Sequence, residues 1–430
     1  MKRFILKGTI CHTPSLEEMQ VVEDGYVLCE DGVSKGVTER IPDSWGEAPV
    51  EDYTGKLIIP GLVDLHMHAP QYSFRGTGMD LELLDWLNKE TFPEETRYAD
   101  LSYADRAYSI FADSLRRGAT TRACIFATLH VPATLLLMEK LEKTGLKTMV
   151  GKVNMDRNSP DTLRERDAAV SAEATKEWFL AVQEKTGSGK WRNTAPILTP
   201  RFTPTCTDEL MERLGELQKA YHLPVQSHLS ENPGEIAWVK ELCPWSDSYG
   251  DAYDRFGLLG GGDCKTVMAH CVYSDEKEQE LLRERGVWVA HCPQSNTNLS
   301  SGIAPVREFL ERGLKVGLGS DVAGGSSASI FRAMTDAIQV SKLYWRLVDS
   351  SKRALTLKEA FYLATRGGGS FFGKVGSFEE GYELDALVLD DELLKAARPF
   401  TAEQRLERIC YLGDERQIAA KFVAGEKLSL

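Results

Sequence analysis

Eight short apolar runs recur through the middle of the chain, and most are separated by stretches patterned for helix. They read KLIIPGLVDLHMH, GATTRACIFATLH, LKTMVGKVN, TAPILTPRF, LPVQSHLSE, CKTVMAHCV, GVWVAHCPQ and LKVGLGSDV. Intervening stretches such as YADRAYSIFADSLRRG and TDELMERLGELQKAYH space apolar residues three and four apart, as amphipathic helices do. Strands alternating with helices in this number predict an α/β chain folded as a (β/α)8 TIM-type barrel. The two ends have another texture, with β segments such as RFILKGTICHT, GYVLCEDG and ELDALVLDD set between turn residues. The expected organisation is a barrel over 60–374, with 1–59 and 375–430 forming one small β-sandwich from both termini.

The strand ends carry the chemistry. The first run ends in His66-Met67-His68, the fourth in Arg201-Phe202, the fifth in His228-Leu229-Ser230-Glu231, the sixth in His270 and the eighth in Asp321. In a parallel barrel these ends share one face, where barrel active sites lie. His66 and His68 are two apart, so on a strand both imidazoles point the same way. Joined by His228 and Asp321, they make a nitrogen and oxygen donor set suited to zinc or iron. A bound cation lowers the pKa of water, and the attack step then needs a proton acceptor and a donor. Asp321 and His270 are placed to handle that water, and Glu231 to move a proton onto a ring nitrogen of the substrate. Glu231 could instead cap the helix that begins in SENPGEIAWV.

Other function classes find little support. The net charge of −13 offers no electrostatic footprint for nucleic acid, so a small-molecule substrate is expected. The opening MKRFILKGTICHTPS is too short and polar in its apolar part for a signal peptide, and no run suits a membrane span. The nine cysteines form no CxxC pair, which predicts reduced thiols and a cytoplasmic protein. RGGGSFFGKVG follows a helical stretch and lacks the phosphate-loop pattern; it reads as a helix end and connector.

The runs PGLVDLHMH, HLSE, MAHCVY, HCPQSN and GSDVAGG together resemble the amidohydrolase superfamily of metal-dependent barrel hydrolases. More narrowly, HAPQYSFRGTGMDLELLDWLNKETFPEE, TPRFTPTC and SDVAGGSS resemble the guanine deaminase family within it. The resemblance implies hydrolysis of guanine to xanthine and ammonia, with a homodimer as the assembly. By position it implies one zinc on His66, His68, His228 and Asp321, with iron as the other candidate. It implies further that His270 holds the hydrolytic water, that Glu231 shuttles the proton, and that Gln71, Arg201 and Phe202 contact the purine. A glutamine offers a donor and an acceptor, an arginine a fork of donors, and a phenylalanine a stacking face. The alternatives are a deaminase or dechlorinase of another purine, pyrimidine or triazine, and a barrel without metal that serves assembly.

Binuclear members of that superfamily bridge two metals with a carboxylated lysine at a strand end. Here Arg201 ends the fourth strand, so a single metal is expected, with Lys152 in the third strand as the exception to watch. His12 and His222 fall in segments read as surface or terminal, His130 could border the pocket, and His291 could support the site from behind. Residues 231–262, with Trp238 and Trp245, are a candidate lid.

Overall fold

The computed structural model describes residues 2–430. Four strands open the chain: β1 (Arg3–His12), β2 (Gln20–Glu30), β3 (Val33–Thr38) and β4 (Val50–Pro60). The middle contributes β5 (Leu62–His68), β6 (Thr120–Phe126), β7 (Lys147–Gly151), β8 (Val153–Asn154) and β9 (Thr194–Pro196). It continues with β10 (Thr199–Pro200), β11 (Val225–Leu229), β12 (Thr266–His270), β13 (Trp288–His291) and β14 (Lys315–Leu318). The last strands are β15 (Ala386–Leu389), β16 (Ile418–Val423) and β17 (Glu426–Leu428).

The main helices before β11 are α1 (Leu101–Arg117), α2 (Val131–Glu142), α3 (Ala168–Gly187) and α4 (Asp208–Tyr221). After it come α5 (Pro233–Leu242), α6 (Glu276–Arg285), α7 (Val306–Glu311), α8 (Ile330–Leu347), α9 (Leu357–Tyr362) and α10 (Ala402–Leu412). Their ends follow local rules. Thr207 and Asp275 cap α4 and α6 by accepting from the N–H three residues on, and α6 stops at Gly286 with φ 68°. His222, read as surface or terminal, is the exposed left-handed residue that terminates α4, with φ 52°.

The middle strands are parallel. β5-β6-β7-β9 form one set and β11-β12-β13-β14 another, with β8 beside β10. Gln226 N donates to Leu198 O at 2.9 Å, linking the stretch before β10 to β11. Just past β14, Asp321 N donates to His66 O at 2.8 Å and His68 N to Val322 O at 3.0 Å, so this segment hydrogen-bonds back to β5. Asp64 reinforces that seam, its Oδ1 accepting from His66 N at 3.1 Å and Ser320 N at 3.0 Å. The fit is tight: a Cβ on Gly319 would lie 2.9 Å from His66 Cβ and 2.8 Å from Cys292 Sγ.

The first apolar run of the sequence serves two sheets. It divides at Gly61, so that β4 belongs to the terminal sheet and β5 to the central strands. A side chain at Gly61 would meet Thr121 Oγ1 at 2.3 Å. Where the sequence predicts a small sandwich, the ends build one continuous seven-stranded sheet in the order β17-β16-β15-β4-β1-β2-β3. β4 is the reason: it pairs with β1 in parallel and with β15 antiparallel, joining the strands of both termini into a single ladder. Phe4, Leu6, Val27, Ile58, Phe378 and Phe422 pack on this sheet in a cluster of their own. His12, read as lying in a surface or terminal segment, ends the N-terminal strand but is buried, with its Nδ1 3.4 Å from Ser377 Oγ, because the end of β1 packs beneath the 377–378 turn.

Polar ties hold the terminal sheet to the rest. Buried Arg122 pairs with Asp385 at 2.7 and 3.1 Å. Lys421 Nζ, also buried, donates to Leu115 O at 3.4 Å, Arg116 O at 2.7 Å and Thr120 O at 3.2 Å, closing the C-terminal end of α1. Burial and Arg116 push its ammonium down to about 7, while the carbonyls and the negative end of the helix favour the charged form.

A carboxylate on α9 sets part of the acid limit of stability. Glu359 takes two 2.9 Å bonds from Arg307 and one of 2.8 Å from Thr356 N. Burial alone would raise its pKa, but Arg307, Thr356 and Arg353 hold it down to about 2. An unfolded glutamate titrates at about 4.3, so this group's contribution is complete above that pH and is lost as pH falls toward the native value. Glu359→Gln should therefore lower the thermal midpoint near pH 7 and lower it less near pH 3. An equal deficit at both pH values would rule this out. Among the described residues, no helix is long and apolar enough to cross a membrane.

Candidate active site

Four of the sequence-predicted residues meet at the strand ends. His66 and His68 come from β5, His228 from β11, and Asp321 from the turn after β14. The ligating atoms of His66, His68 and His228 lie within 4.8 Å of one another, as do those of His66, His270 and Asp321. Asp321 Oδ1 is 3.1 Å from His66 Nε2 and 3.4 Å from His68 Nε2. His66, His68, His270 and Asp321 are buried, and His228 is partly buried. Phe126, at the end of β6, packs its ring 4.6–5.0 Å from those of His66, His68 and His228 and closes the apolar wall behind them.

The hydrogen bonding at this cluster is incomplete in a way that fits a cation. His228 Nδ1 lies 2.6 Å from the carbonyl of Arg201, which can only accept, so Nδ1 carries the proton and Nε2 a lone pair. That lone pair faces His68 Nε2 at 3.2 Å. His66 Nε2 is buried with no hydrogen-bond partner. Burial first, and then the neighbouring imidazoles for His68 and His228, lowers the pKa of these rings, so they are neutral donors. Burial works to raise the pKa of Asp321, yet His66, His270 and His68 outweigh it and keep the carboxylate ionised. Three neutral imidazoles and one carboxylate suit a single zinc or iron ion.

Next to the cluster stand two groups able to handle protons. His270 Nδ1 donates to Asn296 Oδ1 at 2.8 Å, leaving Nε2 as an acceptor 3.4 Å from Glu231 Oε2 and 3.7 Å from Asp321 Oδ2. Glu231 is buried and accepts from Ser301 Oγ at 3.1 Å. Burial, then repulsion from Asp321, pushes the Glu231 carboxyl up to about 8, with the Ser301 bond opposing. A cation nearby would draw it down again. Glu231 is not the helix cap: Asn232 caps α5, in a capping box with Glu235.

Backbone strain collects in the same place. Ser230, His270, Cys271 and Asp321 have φ of 46°, 75°, 51° and 45°, the left-handed region that disfavours side-chain-bearing residues. Each such residue costs of order 1–3 kcal/mol, and such strain persists where surrounding structure fixes it. Here it turns functional side chains off the ends of β11 and β12 and off the segment after β14.

A recess opens on the cluster. His68, His228, Glu231, His270 and Asp321 line one side; Gln71, Arg201 and Phe202 line it as well, with Trp86, Leu87 and Leu299 supplying apolar surface. Polar groups converging in an otherwise apolar recess are the usual form of a small-molecule site. Gln71 sits in the short turn Ala69–Phe74 that leaves β5, and Arg201-Phe202 follows β10.

Several residues that build the site were not singled out by the sequence, although Glu95 closes the FPEE end of a family-like stretch. Glu95 accepts from Gln71 Nε2 at 2.9 Å and from Arg201 Nη1 at 2.6 Å. Glu235 accepts from Glu231 N at 3.1 Å and from Tyr249 OH at 2.7 Å. Tyr253 OH bonds His228 O at 2.9 Å. Asn296 and Ser301 complete the set; Asn296 at least lies in the HCPQSN motif, where a polar side chain after a strand end could have marked it.

The remaining expectations sort differently. Lys152 is buried and paired with Glu165 rather than lining the cavity. His130 is partly buried with an unpartnered Nε2, and it too lies outside the lining. His291 is buried without a hydrogen-bond partner, one residue past the Ala269–Ala290 pair that sets β13 beside β12. In the candidate lid, buried Tyr249 ties α5 through Glu235, and buried Tyr253 bonds the end of β11. Trp238 stands 6.4 Å from Phe202, and Trp245 Nε1 turns to Asp208 at 2.9 Å. All nine cysteines are buried and unpaired.

Comparison with known proteins agrees with this arrangement. The amidohydrolase family profile matches residues 57–428. Guanine deaminase of Dictyostelium discoideum is 38% identical over 450 residues, spanning 99% of this chain and 98% of that protein. Guanine deaminase of Mus musculus is likewise 38% identical, over 99% of this chain and 96% of that protein. The crystal structure of guanine deaminase from C. acetobutylicum, with guanine bound in its active site, superposes with a TM-score of 0.95. It is 44% identical and covers 99% of this chain and 100% of that one.

Proposed function

Since the chain belongs to the amidohydrolase family, and within it to the guanine deaminases, we propose that it hydrolyses guanine to xanthine and ammonia. The observation that carries this reading is that one cavity holds the histidine–aspartate cluster, the buried Glu231 and three groups suited to a purine. The backbone bonds returning from the segment after β14 to β5 support a closed (β/α)8 barrel over 60–374 as the catalytic body.

His66, His68, His228 and Asp321 would hold one zinc or iron ion, whose chemistry is to make water acidic enough to attack at neutral pH. Arg201 and Gln71 bind and orient the purine edge, and Phe202 covers a ring face. His270 Nε2, fixed as an acceptor by Asn296, orients the attacking water toward C2. Glu231 takes one proton from the water and delivers it to ring nitrogen N3 as the water oxygen adds at C2, so the ring carries no unbalanced charge. Asp321 takes the remaining hydroxyl proton and passes it to the exocyclic nitrogen. The C2–N bond breaks, ammonia leaves, and the C2 carbonyl of xanthine forms.

The test is ammonia and xanthine release from guanine, with adenine, cytosine and 8-oxoguanine as comparisons; no ammonia from guanine would end the proposal. Arg201→Ala should raise KM for guanine tenfold or more with a smaller change in kcat, about what a charged hydrogen bond contributes. A loss confined to kcat would remove Arg201 from binding.

We propose a second copy of this chain as the partner beyond substrate and water. Ile110 on α1 and Tyr411 and Leu412 at the end of α10 are exposed around one surface recess, and Leu343, Leu347 and Val348 add exposed apolar area along and just past α8. Nine buried free thiols support a reducing, cytoplasmic setting.

A further inference from the structure

We infer that Glu95 is a positioning residue that fixes Gln71 and Arg201 as a donor-only edge of the cavity, selecting an oxo-purine over the corresponding amino-purine. The inference rests on the proposed activity and adds to it what sets the substrate's functional groups.

Glu95 is buried in the TFPEE stretch and divides its two oxygens between two partners from different parts of the fold. Oε1 accepts from Gln71 Nε2 at 2.9 Å, and Oε2 from Arg201 Nη1 at 2.6 Å. Gln71 Oε1 accepts from Ala323 N at 3.3 Å. An amide is ordinarily free to present either end, because its oxygen and nitrogen have nearly the same shape. Here it is not. A carboxylate stands on one side and a main-chain N–H on the other, so a flipped Gln71 would set oxygen against oxygen and N–H against N–H. The side chain is locked with its oxygen turned to Ala323, and the second Nε2 hydrogen remains for a ligand.

Arg201 has only donors, and Glu95 is the single side-chain partner of its guanidinium among the described residues. Phe92 lies beneath it, 5.4 Å from Cζ to ring centroid, so the group is held from below as well as from the side. Arg201 and Gln71 both line the cavity, and neither turns an acceptor toward it. Such an edge matches the oxo oxygen and ring-nitrogen lone pairs of guanine. 2,6-Diaminopurine keeps the same 2-amine to be released but replaces the oxo acceptor with an amino donor, which would face N–H groups with no acceptor in reach. Buried polar groups left without partners are what give hydrogen-bonding sites their large discrimination.

The experiment compares kcat/KM for guanine and 2,6-diaminopurine in the wild-type protein and in Glu95→Gln, with bound metal measured in both. A neutral amide at this position cannot accept from both partners, so Gln71 gains a second orientation and Arg201 loses its anchor. The guanine:2,6-diaminopurine ratio should fall tenfold or more, with the loss on guanine mainly in KM and full metal content retained. A ratio within twofold of wild type in a metal-loaded variant overturns the inference, since a merely structural Glu95 would leave selectivity unmoved. Glu95→Asp keeps the charge but reaches only one of the two donors, and its ratio should fall by a smaller factor. If the glutamine variant does not fold, a wild-type ratio in Glu95→Asp overturns the inference instead. A wild-type protein inactive on guanine would sink the proposed activity together with this inference; an active one with unmoved ratios sinks the inference alone.

Discussion

Glu231→Gln is expected to lower kcat by about 10²-fold or more while leaving bound metal and guanine affinity close to wild type. The glutamine is isosteric and can still accept from Ser301 Oγ, so the packing at the end of β11 is retained. What disappears is the carboxyl 3.4 Å from His270 Nε2, and with it the proton for the purine nitrogen. Turnover measured at saturating guanine, alongside metal analysis, separates this from a binding defect. A kcat near wild type would take Glu231 out of the mechanism.

His228→Ala should reduce bound metal to well below one equivalent per chain and activity by about 10³-fold or more, since the acidity given to water is then lost. The same change frees Arg201 O from its 2.6 Å bond, so KM should rise as well. Stripping the wild-type protein with a chelator should mimic the loss of turnover. Restoring activity with zinc and with iron separately would rank the two ions. A variant holding a full equivalent and turning over normally would exclude His228 as a ligand.

How much of this was visible beforehand depends on the range of the interaction. His66 and His68 were legible because strand side chains alternate, and His228, Glu231, His270 and Asp321 because each ends an apolar run. The residues that orient them were not. Glu95 meets Arg201 across 106 positions of sequence, and Ser301 meets Glu231 across 70, with no period or spacing to connect them. Likewise, no pattern distinguishes a strand end in ordinary conformation from one turned left-handed, as at His270 and Asp321. At the termini, the β texture was legible but the layering was not. It is decided by β4, whose run continues unbroken into β5 in composition although Gly61 divides the two in space.

That division bears on synthesis. β4 needs β15 as a neighbour, and their registered pairs, such as Ile59 with Leu387, are more than three hundred residues apart. A nascent chain emerging at a ribosome therefore exposes the edge of β4 until β15 has been made. The N-terminal strands are the first produced and among the last to be completed, so a premature stop anywhere before 386 would release a chain with an open, adhesive edge.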